Sequence, residues 1–208
     1  MKNIKQLSVI AIVTICTIAC STNIPMNTSM DDELLYLLDV NDSISVDFKL
    51  ENQLANGSFF QYEKREGTIL YPVADELVYN EYVVLNQMLN DLIHYRFTNT
   101  SDSQPAQIKV GLKYVTISSG GTENETVTTL NSLLFKPGTR LYTAEVHVEV
   151  SITYAGQTHT RSIYGKANMR KASFLKTKAD VNAFSAVLNK ANNRVVYFTN
   201  QFLQDVGL

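Results

Sequence analysis

The stretch that decides the fold is residues 141–169, LYTAEVHVEVSITYAGQTHTRSIYGKANM. Apolar and polar residues alternate from Tyr142 to Tyr154, which is typical of a strand with one buried face. Ala155 and Gly156 then supply a two-residue turn, and the chain returns along residues 157–169. These residues therefore predict a long antiparallel hairpin.

A two-residue turn fixes which residues of the hairpin face each other. The predicted pairs on the buried face are all apolar: Tyr142–Met169, Ala144–Ala167 and Val148–Ile163. On the outer face the same register places Glu145 opposite Lys166. It also places His147 opposite Tyr164. Because apolar residues meet on one face and opposite charges meet on the other, both faces favour the same register.

Two further strands are predicted upstream of the hairpin. Residues 43–50 alternate polar and apolar side chains, and residues 107–117 show the same period. The second of these strands is predicted to place four side chains on its buried face: Ile108, Val110, Leu112 and Tyr114. Residues 51–66 and 118–125 carry turn signals, so we expect an irregular excursion and a flexible loop there.

Two helices complete the predicted fold. Residues 74–97 have apolar side chains at spacings of three and four, which predicts a helix of about six turns. A second helix is predicted from Thr177, with an unbroken apolar stripe: Val181, Phe184, Leu188, Ala191, Val195, Phe198 and Phe202. A coiled coil is the alternative interpretation of this stripe. We expect an α+β fold, a two-layer sandwich with an antiparallel sheet and two long helices packed on one face.

The first nineteen residues have the pattern of an export signal. Lys2 and Lys5 precede an uncharged apolar run at residues 7–19, which is shorter than the roughly 20 residues that a membrane-spanning helix needs. The segment that follows, Thr17-Ile18-Ala19-Cys20-Ser21, resembles the lipobox of bacterial lipoproteins, although Thr17 stands where leucine is usual.

The lipobox resemblance implies a signal peptide at residues 1–19, cut by signal peptidase II between Ala19 and Cys20. It also implies acyl chains on the Cys20 thiol, which would anchor the protein to a membrane. Ser21 resembles an outer-membrane sorting signal, so we expect an outer-membrane lipoprotein that faces the periplasm. The alternative is an uncleaved signal or plain anchor helix with Cys20 there by chance.

The rest of the chain divides into a tether and a domain. We expect a lipidated N-terminus and tether at residues 20–41 and a single α+β domain at residues 42–208. Within the tether, residues 31–38 are predicted to form a short helix, which either packs on the domain or binds a partner. Because Cys16 leaves with the signal and Cys20 is modified, no thiol remains for a disulfide, a nucleophile or a metal.

The charge balance argues against two classes of partner. The whole chain has a formal net charge of −2, and residues 1–19 carry two lysines and no acid, so removing them leaves about −4. A mildly acidic chain without a basic tract does not fit nucleic acid, and it does not fit attraction to anionic lipid headgroups.

This order of features resembles the YajG-like family of small bacterial outer-membrane lipoproteins. The resemblance is carried by the lipobox at Cys20, the strand at residues 107–112 after a long helix, the hairpin at 144–167 and the helix that follows residues 179–183. It covers roughly residues 43–205, and residues 118–139 are longer than the family's connection. The family has no established activity; similar envelope lipoproteins are accessory subunits of transporters, wall synthases or surface machines.

The polar residues do not form a recognisable catalytic or metal-binding pattern. His94, His147 and His159 are widely spaced, and the predicted register puts the last two on opposite faces of the sheet. Glu145 and Glu149 share a face with His147 and could mimic an acid–base cluster. A solvated strand face with a cross-strand ion pair is the favoured interpretation. We therefore predict no catalytic, cofactor-binding or metal-binding residues.

Two classes of function remain open. The first is a non-catalytic binding or accessory subunit of an envelope assembly or transport machine, with a protein partner. The alternative is an envelope hydrolase or lipid-handling protein whose site is not visible in the sequence. A third hypothesis is that the apolar residues 130–135 dip into lipid.

Overall fold

The computed structural model describes only part of the chain: residues 22–23, 28–54, 61–64, 77–78, 81–98, 105–121, 138–173 and 177–208. The signal peptide, Ala19, Cys20 and the apolar residues 130–135 lie outside these ranges. The predictions made for them therefore stay predictions, and so do the domain boundaries.

The described elements include three helices and seven strands, and the strands are not separated regularly by helices, which gives an α+β fold. In order they are β1 (Thr22–Asn23), α1 (Asp32–Leu35), β2 (Val46–Asn52), β3 (Gln61–Lys64), β4 (Leu77–Val78), α2 (Glu81–Arg96), β5 (Ala106–Gly121), β6 (Gly138–Tyr154), β7 (Gln157–Ser173) and α3 (Thr177–Asp205). The main sheet has the order β2-β5-β6-β7, and β3 also pairs with β5. Strands β1 and β4 form a separate parallel pair.

The predicted hairpin is confirmed with its register. Strands β6 and β7 pair so that Glu145 faces Lys166 and His147 faces Tyr164. The three apolar pairs are also as predicted: Tyr142–Met169, Ala144–Ala167 and Val148–Ile163. Ala155 and Gly156 both have positive φ angles, 49° and 76°, as a type I′ turn requires. The register follows from this turn.

The sheet is mixed, so the prediction of an antiparallel sheet is wrong at one edge. β2 and β3 both pair with β5 in parallel. The cause is the connection: α2 lies between β2 and β5 in the chain, and a helical crossover brings the chain back in the same direction. Residues 61–64, predicted to be irregular, form β3, and residues 118–121, predicted to be a loop, extend β5.

A β-bulge in β5 corrects the prediction for Tyr114. Leu112 pairs with Val148, but Tyr114 pairs with the next residue, His147, so that Lys113 is the extra residue. One extra residue exchanges the two faces of a strand from that point on. Tyr114 therefore lies on the outer face. The buried side chains of β5 include Ile108, Val110, Leu112, Val115 and Ile117.

Helix α2 is shorter than predicted. It spans Glu81–Arg96, whereas the periodicity predicted a start near residue 74. Leu77 and Val78, which fit the helical spacing, form β4 and pair with β1. A weak apolar period does not distinguish a helix from a strand, and here the pairing with β1 makes these two residues a strand.

Helix α3 packs on β6 and β7. Its predicted stripe is confirmed at five of seven residues; Val181 lies outside the residues whose side chains the structure describes. Phe184, Leu188, Ala191, Val195 and Phe202 are buried, but Phe198 is 40% exposed. The sequence stripe repeats every 3.5 residues and an α-helix turns every 3.6, so the stripe drifts around the helix by about 20° per heptad. Near the C-terminal end, four residues beside the stripe are therefore buried as well: Val196, Thr199, Asn200 and Leu203.

A buried arginine joins the ends of the two long helices. Arg96, the last residue of α2, is 3% exposed and donates to Asn200 Oδ1 at 2.9 Å and to the main-chain oxygen of Leu208. Burial lowers the pKa of its guanidinium. Since a buried charge is tolerated only when it is hydrogen-bonded, these contacts fix α2 against α3.

Helix α1 packs on the domain. Met30 and Leu34 are buried in the core, and the Asp31 N–H donates to Asn193 Oδ1 of α3 at 2.9 Å. None of the described helices is both long and apolar enough to cross a membrane.

Candidate functional site

The outer face of the hairpin, opposite to α3, carries a group of polar and aromatic side chains. We call it the outer-face cluster, and its members are Tyr114, Glu145, His147, Tyr164 and Lys166. The cross-strand register of β6 and β7 brings four of them together, and the bulge in β5 adds Tyr114. The cluster is thus a direct product of strand pairing.

The contacts within the outer-face cluster form one connected network. Tyr114 Oη donates to Glu145 Oε1, and Lys166 Nζ lies 3.0 Å from the same carboxylate oxygen. The predicted Glu145–Lys166 pair is therefore confirmed. The His147 ring stacks on Tyr164, with centroids 4.2 Å apart and planes 3° apart, and lies 5.2 Å from the ring of Tyr114.

Burial and neighbouring charges shift the pKa values of this cluster. Burial, together with the hydrogen bond to Glu145, raises the pKa of Tyr114 to about 12. Burial also works to raise the pKa of Glu145, but the hydrogen bonds from Tyr114 and Lys166 outweigh it and leave that pKa below its usual value. Burial and then the charge of Lys113 lower the pKa of His147.

This geometry favours a structural role over acid–base chemistry. The Glu145 carboxylate is engaged by Tyr114 and Lys166, and His147 Nε2 is buried without a hydrogen-bond partner among the described residues. A general base has to reach its proton through a hydrogen bond, and His147 Nε2 makes none with the described residues. The described residues also contain no group of three histidine, cysteine, aspartate or glutamate side chains suited to a metal ion.

The lowered pKa of His147 predicts a loss of stability in mild acid. The unfolded chain takes up the proton at the ordinary histidine pKa of 6.5, whereas the folded chain resists it. Stability is therefore complete above that pH and falls as the pH drops below it. We expect the urea midpoint of the full chain in mild detergent to decrease between about pH 6.5 and pH 5.

Substitution of His147 separates this effect from other titrations. In the His147→Phe variant, which keeps a ring against Tyr164, the decrease in midpoint over this pH range should disappear. His159→Asn is the matched control, because His159 is exposed on the same hairpin, and it should keep the decrease. An unchanged pH dependence in His147→Phe would contradict the assignment.

A second feature is a cavity of about 390 Å³ between α1, α3 and strand β7. We call it the α1 groove. Its apolar wall is formed by Leu34, Leu37, Ala167 and Tyr197, and its charged rim includes Asp31, Glu33, Lys190 and Arg194. Its size is within the range of small-ligand and side-chain pockets. The described lining residues include no serine, cysteine or histidine.

Exposed apolar side chains lie next to the groove. Leu35, Tyr36, Leu37 and Val40 are 36%, 90%, 54% and 65% exposed, within a stretch of six residues. We call these four residues the α1 patch. Single exposed apolar residues are common, but a contiguous group of them marks interaction surfaces.

Comparisons with known proteins do not assign a family to the chain. No family model matches it, and no curated protein matches it. A crystal structure of an uncharacterized protein is similar to it: the two share 10% identity, with a TM-score of 0.42 over 88% of this chain and 97% of the other. A likeness of this size carries no information about function.

Sequence reasoning missed the α1 groove. It is built from segments far apart in the chain: the Asp31–Asn193 hydrogen bond spans 162 positions. The one available signal was the apolar run at residues 34–38, inside an otherwise polar segment. The hypothesis of a partner-binding segment made use of this run, but the sequence did not place it beside β7.

Proposed function

We propose that this protein is an envelope lipoprotein of the YajG-like type, cut between Ala19 and Cys20 and held by acyl chains on Cys20. It faces the periplasm from the outer membrane. Its folded domain is a two-layer sandwich with α2 and α3 on one face of the sheet, a layout supported by the contacts of α3 with β6, β7 and α2. The domain acts as a non-catalytic accessory subunit that binds a protein of an envelope assembly or transport machine.

The observation that carries the binding role is the α1 patch. Four apolar side chains are exposed on a segment that is itself fixed to the domain by buried Met30 and Leu34. The segment is therefore already ordered before a partner binds, and this lowers the entropic cost of forming an interface.

The charges around the α1 patch favour a protein partner over a lipid surface. Five acidic residues lie within or beside it: Asp31, Asp32, Glu33, Asp39 and Asp42. Residues 28–48 contain no lysine or arginine. Anionic lipid headgroups would be repelled by such a segment, since membrane-binding surfaces rely on basic residues.

Site-specific photocrosslinking tests this role. We expect the full chain, carrying p-benzoylphenylalanine at Tyr36 in the cells that make it, to yield one discrete adduct with an envelope protein. Val83 is the control position, because its side chain is 51% exposed on α2, away from the α1 patch, and it should give no adduct. Absence of an adduct at position 36, or the same adducts from both positions, would contradict the proposal.

A further inference from the structure

Strand β7 forms an edge of the main sheet with its backbone open on one side. Among the described residues it pairs only with β6. In a hairpin closed by a two-residue turn, the residues that flank the turn form a hydrogen-bonded pair, and the bonding then alternates along the strands. Counting from the Tyr154–Gln157 pair, the even-numbered residues of β7 direct N–H and C=O away from β6. Arg194 Nη1 donates to the main-chain oxygen of Lys166, which fits this assignment.

The charge on this edge is of one sign. β7 contains Arg161, Lys166, Arg170 and Lys171 and no acidic residue. Arg161 and Lys166 are neutralised within the domain, by Asp205 at 2.8 Å and by Glu145 at 3.0 Å. Arg170 and Lys171 are exposed, and no described acidic side chain forms an ion pair with them.

This charge selects between possible occupants of the edge. Two copies of the chain joined through β7 would bring like charges together, which is how basic residues on edge strands discourage self-association. An acidic strand would instead find complementary charges at Arg170 and Lys171, since Arg161 and Lys166 are already paired. The α1 groove lies at the same edge, since Ala167 and Asn168 of β7 form part of its wall. Its rim carries the acidic Asp31 and Glu33 together with the basic Lys190 and Arg194, so the apolar side chain of the peptide, and not its acidic ones, occupies it.

We propose that β7 accepts an extended acidic peptide segment of a partner protein as an added strand, with one apolar side chain of the peptide in the α1 groove. Main-chain hydrogen bonds hold the segment at the even-numbered residues of β7, except at the Lys166 oxygen, which already accepts from Arg194. The groove and Arg170 select its side chains. This inference rests on the proposed function, because it names the chemistry of the partner of the accessory subunit.

The test is a selection from a displayed library of random twelve-residue peptides against the full chain in mild detergent. We expect the selected peptides to alternate apolar and acidic residues. An added strand pairs with the edge through every second residue only. Two versions of a selected peptide are therefore compared, one N-methylated at the odd-numbered amides and one at the even-numbered amides. One version should bind at least about tenfold more weakly than the unmethylated peptide, and the other should be affected much less. No enrichment, or enrichment of basic peptides, would overturn the proposal.

Variants of the protein locate the binding site. Arg170→Glu should weaken binding of a selected peptide at least about tenfold, which corresponds to about 1.4 kcal/mol. Lys49→Glu, a charge reversal on the opposite edge strand β2, is the control and should leave the affinity unchanged. Asn168→Pro removes the N–H that residue 168 directs away from β6, whereas Asn168→Ala keeps it. Only the proline variant should therefore bind weakly. Equal binding by Arg170→Glu and the parent chain would overturn the proposal.

The two proposals fail in different ways. If the crosslink from Tyr36 forms and the peptide results are negative, the accessory role stands and the β7 edge is not its site. If neither the crosslink nor any peptide binding is found, both proposals are wrong.

Discussion

Replacing Gly165 with alanine is expected to lower the free energy of unfolding by roughly 3 kcal/mol, a large part of the about 5–15 kcal/mol available to a domain. Helix α3 crosses β7 at this residue. A Cβ atom at position 165 would overlap the main-chain oxygen of Ala191 and would lie 2.7 Å from Val195 Cγ2. Because the first contact is with backbone, relief requires α3 to move away from the sheet, and that opens the core.

The matched control is Gly156→Ala in the hairpin turn. Gly156 has a φ of 76° and open space where a Cβ would be. Alanine there should cost only about 1 kcal/mol, the penalty of a left-handed conformation. Urea unfolding of both variants and the parent chain in the same detergent measures the difference. Equal losses for the two variants would contradict the close approach of α3 to β7.

The second large effect is expected at Cys20. The Cys20→Ala variant should incorporate no labelled palmitate in growing cells and should keep residues 1–19, because lipoprotein processing requires the thiol. Each buried CH₂ group contributes about 0.8 kcal/mol to membrane attachment, so the loss of several acyl chains removes the anchor. Cys16→Ala is the control and should be labelled like the parent chain. Labelling of Cys20→Ala at the parent level would contradict the lipid anchor.

The hairpin was predictable because its information is local. Ala155 and Gly156 fix the turn, the turn fixes the register, and the alternation of residues 141–169 fixes which face is buried. The pairs Glu145–Lys166 and His147–Tyr164 then follow without any knowledge of the rest of the fold. This is why the outer-face cluster could be predicted apart from Tyr114.

The features that the sequence did not predict depend on distant contacts. The bulge at Lys113 turns Tyr114 outward, and nothing in residues 107–117 marks the position of an extra residue. The parallel pairing of β2 depends on how α2 crosses the sheet. The α1 groove needs Leu34 to be buried beside Asn193, and no local pattern signals that contact.

The proposed localisation and role of this protein both depend on the lipid anchor at Cys20. Mass spectrometry of the N-terminal proteolytic peptide of the native protein tests it most directly. We predict a peptide that begins at Cys20 and carries the added mass of acyl chains, with no trace of residues 1–19. A peptide in which residue 20 is unmodified and still joined to Ala19 would contradict it.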